Sequence, residues 1–277
     1  MIRPLIQSQR SLASIASTSG ATTDLSATEL EKIGVTGVTS SSSDVEPGDL
    51  FCAFAGEKVH GASFAEDAIK SGAVAVLTDA EGAKIVKGGP VLVVSNARKS
   101  AAILTSWFYG EPMRDLFSIG ITGTNGKTTV STLCHQIFQS AGQETGLIGT
   151  VETRIGNEAL SSTRTTPEAT ELQALVATMR ERHCRNLVME VSSHAIALER
   201  IRGSYFAAVG FTNLSQDHLD FHGNMENYFA AKSKLFTYEY ADQAFINIDD
   251  SYGQLLAQKT ELPVQSISRF NESATWH

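Results

Sequence analysis

The segment Ser118-Ile119-Gly120-Ile121-Thr122 leads directly into Gly123-Thr124-Asn125-Gly126-Lys127-Thr128-Thr129. The first five residues are typical of a buried β-strand, and a helical pattern follows the second loop glycine. A strand, a glycine loop and a helix in this order suit phosphate, because the loop amides and the helix N-terminus both attract an anion. Lys127 adds a positive charge for phosphate oxygens, and the Thr128 hydroxyl suits Mg²⁺. The predicted ligand is therefore ATP with Mg²⁺.

This loop departs from the strict pattern G-x-x-x-x-G-K-[ST], because Ile121 stands where that pattern has its first glycine. A glycine turn followed by an incidental lysine and threonine is the alternative interpretation. The strand before the loop and the helix after it favour the phosphate site.

Short β-rich runs alternate with helical patterns from residue 49 onward. The predicted strands cover residues 50–54, 73–77, 91–94, 116–122, 145–148, 186–191, 207–212 and 244–248, and the predicted helices cover 62–71, 96–109, 128–141, 167–182, 225–236 and 251–258. This alternation predicts an α/β fold with mainly parallel sheets covered on both faces. The turn Gly110-Glu111-Pro112 predicts a boundary between a small N-terminal α/β domain, residues 1–111, and a P-loop-type domain, residues 112–277.

The amino-acid composition argues against some classes of binding partner. The 277 residues contain 22 Lys and Arg against 30 Asp and Glu, a net charge of −8, which argues against nucleic acid or an anionic membrane as the main partner. Three cysteines without metal-binding spacing predict reduced thiols. No segment has the apolar core of a secretory signal or the length of a membrane span. We expect a cytoplasmic monomer.

Four further stretches, together with the loop, resemble the Mur ligase family, whose members build the peptide of bacterial peptidoglycan. These stretches cover residues 165–168, 189–195 with Arg200, 211–223 and 228–232, and in the N-terminal part residues 45–51 and 72–76 resemble the uridine-binding domain of the family. The resemblance implies a central ATPase domain preceded by a domain that binds UDP-MurNAc.

Within the family, the resemblance is to members that add a diamino acid, meso-diaminopimelate or L-lysine, to UDP-MurNAc-L-Ala-D-Glu. It implies ATP-dependent amide formation, in which the γ-phosphate passes to the D-Glu side chain and the amine then attacks the acyl phosphate. Cations and oriented amides should dominate such a site, because two anions have to come together. The sequence leaves open which diamino acid is added.

The resemblance also assigns the residues that carry the chemistry. Lys127 would contact the phosphates, and Glu190 and His218 would bind Mg²⁺ together with Thr128. Lys232 would be carbamylated, and its new negative charge would help to hold a second Mg²⁺. The alternatives are a cap or salt bridge for Glu190, a hydrogen-bonded core histidine for His218 and a solvated lysine for Lys232.

The resemblance further implies a set of substrate contacts. The residues that match positions holding the UDP-MurNAc-dipeptide are Ser42, Thr165, Thr166, Ser192 and Arg200, of which Ser42 would contact uridine. In this chain, Ser41-Ser42-Ser43 stands where the family has Asp-Ser-Arg. The alternatives are turn or cap hydrogen bonds for the hydroxyls and a surface salt bridge for the arginine.

Four other polar residues have open roles. His194 either touches substrate or packs beside the site. Asn247, Asp249 and Asp250 follow a predicted strand and are candidates for lining the nucleotide pocket.

The last apolar run, residues 263–267, is a possible strand with no helix after it, and the third, C-terminal domain of the family has no counterpart in the sequence. We expect a fragment that binds both nucleotides weakly and does not complete catalysis. The alternative functions are folylpolyglutamate synthesis, ligation of D-Ala-D-Ala and a catalytically incomplete nucleotide-binding module. The uridine-domain pattern disfavours the first, and Ser192-Ser193-His194 with residues 165–167 disfavours the second.

Overall fold

The structure, a computed structural model, describes residues 1–6, 9–56 and 58–277. These residues divide into two compact units. The first unit holds Met1–Glu111 and Glu168–Thr178, and the second holds Pro112–Pro167 and Met179–His277. Among the helices of the described residues, none is both long and apolar enough to cross a bilayer.

The first unit combines short strands with helices. Its elements are β1 (Arg10–Ser11), α1 (Leu12–Ser19), α2 (Ala27–Lys32), β2 (Gly34–Val35), β3 (Gly37–Thr39), β4 (Asp49–Cys52), α3 (Ala65–Lys70), β5 (Ala75–Thr78), α4 (Ala80–Ile85), β6 (Val91–Val93) and α5 (Ala97–Phe108). Strands β3, β4, β5 and β6 form a parallel sheet in that order. The side chain of Asn96 caps α5 by accepting a hydrogen bond from Lys99 N, as a helix start at residue 96 requires.

Side chains that alternate along the strands fill the core on both faces of this sheet. Leu50 packs in a cluster with Leu12 and Leu104, whereas its neighbour Phe51 packs in a second cluster with Ala65. Successive residues of a strand point to opposite faces. The hydrophobic run of β4 is therefore that of a strand buried on both sides, as predicted.

The second unit is larger. Its elements are β7 (Phe117–Thr122), α6 (Lys127–Ser140), β8 (Thr145–Ile148), β9 (Glu152–Ile155), β10 (Glu158–Ser161), α7 (Ala169–Glu181, of which residues up to Thr178 group with the first unit), β11 (Asn186–Glu190), α8 (Ser193–Ala197), β12 (Ala208–Phe211), α9 (Leu219–His222), α10 (Met225–Ser233), β13 (Ala244–Asn247), α11 (Ser251–Lys259) and β14 (Val264–Ile267).

Eight strands of the second unit form one sheet in the order β10-β9-β8-β11-β7-β12-β13-β14. Strands β8, β11, β7, β12, β13 and β14 pair in parallel, and the hairpin of β9 and β10 adds an antiparallel edge. The predicted α/β fold with mainly parallel sheets is confirmed, and β14 is the possible last strand. The hairpin was not predicted.

The strand order determines which loops meet. Strand β11 lies between β8 and β7, and β7 lies between β11 and β12. Because parallel strands end at the same edge of a sheet, the residues that follow these four strands become neighbours. This edge carries most of the residues that the sequence singles out.

Candidate functional site

The glycine loop, residues 123–126, joins β7 to α6. Gly123 and Gly126 have φ angles of 144° and 86°, which side chains disfavour. A Cβ on Gly123 would also overlap the hydroxyl of Thr212. The first intrahelical bond runs from Val130 N to Gly126 O, so the amides of residues 127–129 precede the helical ladder and can donate to an anion.

The segment after β12 holds the glycine loop in shape through hydrogen bonds. Asn213 accepts hydrogen bonds from Thr124 N through its backbone oxygen, at 2.9 Å, and from Asn125 N through Oδ1, at 3.0 Å. The Thr212 hydroxyl donates to Asn125 O at 2.7 Å. The loop is therefore preorganised by its neighbour in the sheet.

Two lysines donate to the same carbonyl of this loop. Lys127 Nζ donates to Gly123 O at 3.0 Å and to Thr124 O at 2.9 Å, and Lys232 Nζ donates to Gly123 O at 2.8 Å. Burial lowers the pKa of Lys127, although Glu190 and Asp217 oppose this. Burial, and then the charge of Lys127, lower the pKa of Lys232 to about 7, against a smaller opposing effect of Asp217.

Lys232 is only 1% exposed, and its Nζ lies 4.6 Å from the centre of the Tyr228 ring. The alternative of a solvated lysine is therefore wrong. With a pKa near 7, the Lys232 amine is available in its neutral form at neutral pH.

Glu190 is the buried carboxylate of the site. It ends β11 and is 1% exposed. Its Oε2 accepts from Thr128 Oγ1 at 3.0 Å and from Thr150 Oγ1 at 3.0 Å, and its Oε1 accepts from Thr150 N at 2.9 Å. These three donors are uncharged and offset only part of the cost of burying a carboxylate, so the position suits a cation.

The predicted substrate residues of the second unit connect to the same glutamate. Thr165 Oγ1 lies 3.0 Å from Thr150 Oγ1. Thr166 Oγ1 donates to Glu190 O at 2.9 Å and accepts from Ser192 N at 3.1 Å. Arg200 donates to Thr166 O at 3.4 Å.

Ser192 also caps α8 by accepting from Ala195 N at 3.2 Å. The bonds of Thr166 and Ser192 are thus those of the turn and cap alternatives, and their contacts with substrate stay a prediction. Ser42 lies in a 3₁₀ turn of the first unit, Ser42–Asp44, and its contact with uridine also stays a prediction.

These side chains surround a cavity of about 280 Å³. Its lining consists of Thr124, Asn125, Gly126, Lys127, Thr128, Thr129, Thr150, Thr165, Glu190, Ser192 and His218. The structure therefore brings the predicted loop residues after Gly123 together with Glu190, His218 and two predicted substrate residues. Thr150 was not predicted, and the signal that could have found it is its position two residues after the end of the predicted strand 145–148.

Two histidines stand at the rim of the site. The side chain of His218 is 46% exposed, its Nε2 lies 3.4 Å from Asp217 Oδ2, and its ring packs edge-on against His194 at 4.8 Å. This exposure argues against a core histidine. Burial, together with the charges of His218 and Arg200, lowers the pKa of His194, and its ring also packs against Phe221 at 4.2 Å. These contacts favour packing support as the role of His194.

The donor set fits Mg²⁺ that is bound together with a nucleotide. In the described parts of the chain, no three His, Cys, Asp or Glu side chains form a closed metal cluster. The Glu190 carboxylate and the Thr128 hydroxyl nevertheless lie together in the wall of the loop cavity. Mg²⁺ is usually held by one or two carboxylates plus phosphate and water oxygens, so a closed protein cage is not needed.

A second cavity, of about 640 Å³, lies along the face of the same sheet and reaches the loop at Asn125 and Gly126. Asn247 and Asp249 are in its lining, and Asn247 Nδ2 donates to Thr212 O at 2.9 Å. Asp250 instead caps α11 and accepts from Leu214 N at 3.1 Å. Its observed bonds are therefore structural.

Comparison with known proteins identifies the family. Residues 121–276 match the family described as the Mur ligase middle domain, and residues 34–104 match the family described as the Mur ligase family, catalytic domain. The chain belongs to the Mur ligase family. The prediction made from the motifs is confirmed.

Named relatives of this chain support its membership of the Mur ligase family. It is 47% identical over 268 residues to the UDP-N-acetylmuramoyl-L-alanyl-D-glutamate–2,6-diaminopimelate ligase of Streptomyces avermitilis, covering 96% of this chain and 52% of the relative. It is 40% identical over 242 residues to the UDP-N-acetylmuramyl-tripeptide synthetase of Leifsonia xyli, covering 87% of this chain and 47% of the relative. The chain thus spans about half the length of these curated relatives.

Solved structures extend the comparison. A structure of a UDP-N-acetylmuramoyl-L-alanyl-D-glutamate–2,6-diaminopimelate ligase has a TM-score of 0.80 and 27% identity, covering 96% of this chain and 54% of that one. MurF from Acinetobacter baumannii has a TM-score of 0.66 at 17% identity, covering 94% of this chain and 53% of that one, and supports the fold alone.

The buried amine of Lys232 makes the stability of the second unit depend on pH. The pKa of this lysine is about 7 in the folded chain, against an ordinary value of 10.5. Between these values the unfolded chain binds more protons, so the contribution of Lys232 to the free energy of unfolding rises with pH. We expect Lys232→Met to stabilise the unit most at pH 7 and below, with a gain that shrinks toward pH 10.5.

Urea unfolding at several pH values in CO₂-free buffer measures this difference. Lys234→Met, which changes an exposed lysine, should show a difference that is nearly independent of pH. An equally flat difference for Lys232→Met would contradict the depressed pKa.

Proposed function

We propose that this chain forms the nucleotide- and acceptor-binding part of an ATP-dependent ligase that adds a diamino acid to UDP-MurNAc-L-Ala-D-Glu. The observation that carries the proposal is the cavity in which the glycine loop, the buried Glu190 and Thr165 meet. The names of the relatives support the same reaction and favour diaminopimelate as the amino acid.

The phosphates of ATP would occupy the loop cavity, where the amides of residues 127–129 and the Lys127 ammonium can donate to them. Lys127 Nζ now donates to two loop carbonyls and would exchange these for phosphate oxygens. The nucleoside would extend into the second cavity, whose apolar wall suits a base and whose Asn247 and Asp249 offer polar contacts.

Glu190 and Thr128 would hold Mg²⁺ together with phosphate oxygens, and His218 lines the same cavity. When bound, the ion would neutralise phosphate charge. Lys232 would take up CO₂: its neutral Nζ forms a bond to the CO₂ carbon, one C=O electron pair moves to oxygen, and a proton leaves to water. The resulting carbamate is negative, so the position would change from a cation to a metal ligand.

The chemistry transfers a phosphoryl group and then an acyl group. The D-Glu side-chain carboxylate attacks the γ-phosphorus, and the bond to the bridging oxygen breaks to release ADP. The amine then attacks the acyl carbon, phosphate leaves, and the nitrogen loses a proton. Lys127 and the loop amides would stay on the transferring phosphoryl group and stabilise its charge.

The acceptor would be held by Thr165, Thr166, Ser192 and Arg200, and its uridine by Ser42. The first domain, residues 1–111, would bind UDP-MurNAc, and residues 112–277 would bind ATP. The net charge of −8 fits small anionic substrates that are held locally by cations, rather than nucleic acid or a membrane. We propose a monomer in the cytoplasm, where ATP is available.

Lys127→Ala should remove ATP binding and leave the fold intact, because Lys127 is the first residue of α6 and its ammonium bonds to carbonyls of the glycine loop rather than packing in the core. We expect the affinity for ATP to fall at least about tenfold. Calorimetry measures it, with circular dichroism as the check on folding. Lys234→Ala, on an exposed side chain of the same unit, is the control, and an unchanged affinity in Lys127→Ala would contradict the phosphate role.

Carbamylation of Lys232 should give a new carbonyl resonance when the protein is kept in ¹³C-labelled bicarbonate and observed by ¹³C NMR. The neutral fraction of the amine rises as the pH passes about 7, so the resonance should strengthen over that range. Lys232→Met should lose it and Lys234→Met should keep it. A resonance that survives Lys232→Met would contradict the assignment.

The ligase reaction is tested with the complete product of the reading frame that encodes these residues. We expect phosphate release that requires ATP, UDP-MurNAc-L-Ala-D-Glu and either meso-diaminopimelate or L-lysine. Glu190→Gln should lower the rate by about 100-fold or more, whereas Glu226→Gln, on an exposed side chain of α10, should not. Phosphate release with D-Ala-D-Ala or a folate instead would favour another member of the family, and none with any amine would contradict the ligase.

A further inference from the structure

We infer that Thr150 is a positioning residue that couples the metal carboxylate to the acceptor site and fixes the direction of the hydrogen bond between them. This inference rests on the proposed function of Glu190 and Thr165. Thr150 directly follows Gly149 at the end of β8, and neither the motifs nor the family resemblance gave it a role.

Thr150 holds both oxygens of the Glu190 carboxylate. Its backbone N donates to Oε1 at 2.9 Å, and its hydroxyl donates to Oε2 at 3.0 Å. The approach of this segment is close, because a Cβ on Gly149 would lie 2.6 Å from Glu190 Oε1. Gly149 therefore leaves room for the Glu190 carboxylate, and the backbone N–H and hydroxyl of Thr150 bind its two oxygens.

The protons of this network have only one consistent arrangement when Glu190 is ionised. An ionised carboxylate only accepts hydrogen bonds, and a threonine hydroxyl has one proton to donate. The Thr150 proton therefore goes to Glu190, and Thr150 can only accept from Thr165, 3.0 Å away. Thr165 consequently donates its own proton to Thr150.

This direction determines what Thr165 can recognise. With its proton committed to Thr150, the Thr165 hydroxyl offers lone pairs to the cavity that it lines. It then suits an N–H or O–H group of the acceptor and not one of its carboxylates. The chemical class selected at this point is therefore a hydrogen-bond donor, such as a peptide amide.

The same chain of bonds transmits changes at Glu190. Glu190 would hold the cation, and a shift of its carboxylate on binding would alter the bond to Thr150 and, through it, the orientation of Thr165. Binding of the magnesium nucleotide and of the dipeptide substrate should therefore be coupled through the Thr150 hydroxyl, and coupling of this kind is reciprocal.

Thr150→Val tests this directly, because it keeps the shape and the backbone N–H but removes the hydroxyl. The side chain is exposed, so the variant should fold. Thr150→Ser restores the hydroxyl, and Thr163→Val makes the same change at an exposed threonine in the segment between β10 and α7.

Calorimetry on the 277-residue chain would measure the Mg²⁺ concentration that half-saturates binding of a non-hydrolysable ATP analogue, and the affinity for UDP-MurNAc-L-Ala-D-Glu. In Thr150→Val we expect about a 5- to 20-fold higher Mg²⁺ requirement and a similar loss of affinity for the dipeptide substrate. Mg²⁺-free nucleotide binding should not change. Thr150→Ser and Thr163→Val should stay within about twofold of the wild type.

A double-mutant cycle with Thr165→Val separates positioning from a general structural effect. We expect the losses of Thr150→Val and Thr165→Val in dipeptide affinity to be strongly non-additive, because both break one chain of bonds. The inference would be overturned if Thr150→Val kept the wild-type Mg²⁺ dependence, if the two single losses of dipeptide affinity multiplied in the double variant, or if Thr150→Ser failed to restore binding. The proposed function would stand in each of these cases. A wild-type chain without Mg²⁺-dependent nucleotide binding would overturn both.

Discussion

The burial of one carboxylate is the constraint on which the rest of the site depends. Glu190 ends a strand inside the sheet and is 1% exposed, and a charge in that position is costly unless it is well solvated by the protein. The sheet supplies part of that solvation because β11 lies between β8 and β7. The residues after β8 and β7, Thr150 and Thr128, are therefore the ones that can reach it.

Lys127 and Lys232, in contrast, place an excess of positive charge next to the glycine loop. Both donate to Gly123 O, and two ammonium groups on one carbonyl repel each other. Burial lowers the pKa of both lysines, that of Lys232 to about 7, and the charges of Glu190 and Asp217 oppose the decrease at Lys127. The repulsion is reduced because Lys232 can lose its charge near neutral pH. This difference fits the proposed roles, in which Lys127 would contact phosphate and Lys232 would react as a neutral amine.

Local patterns predicted those parts of the molecule that depend on local sequence. The buried strand 145–148 and the glycine loop are each contiguous and follow from residue type and order. The hairpin of β9 and β10 was missed because neither strand is a run of apolar residues, and Glu158–Ser161 are mostly exposed and carry no apolar alternation. Thr150 and the burial of Lys232 follow from strand order and tertiary packing, which periodicity does not encode.

The segment of Thr165 and Thr166, which we propose to contact the acceptor, is connected to Glu190 in two ways. Thr166 Oγ1 bonds to the backbone oxygen of Glu190, whereas Thr165 reaches the carboxylate of the same residue through Thr150. Phosphoryl transfer requires the attacking oxygen and the γ-phosphorus to be aligned within a fraction of an ångström. Because Glu190 bonds to Thr128, Thr150 and Thr166, a displacement of Glu190 would shift hydrogen bonds on both sides of the proposed site.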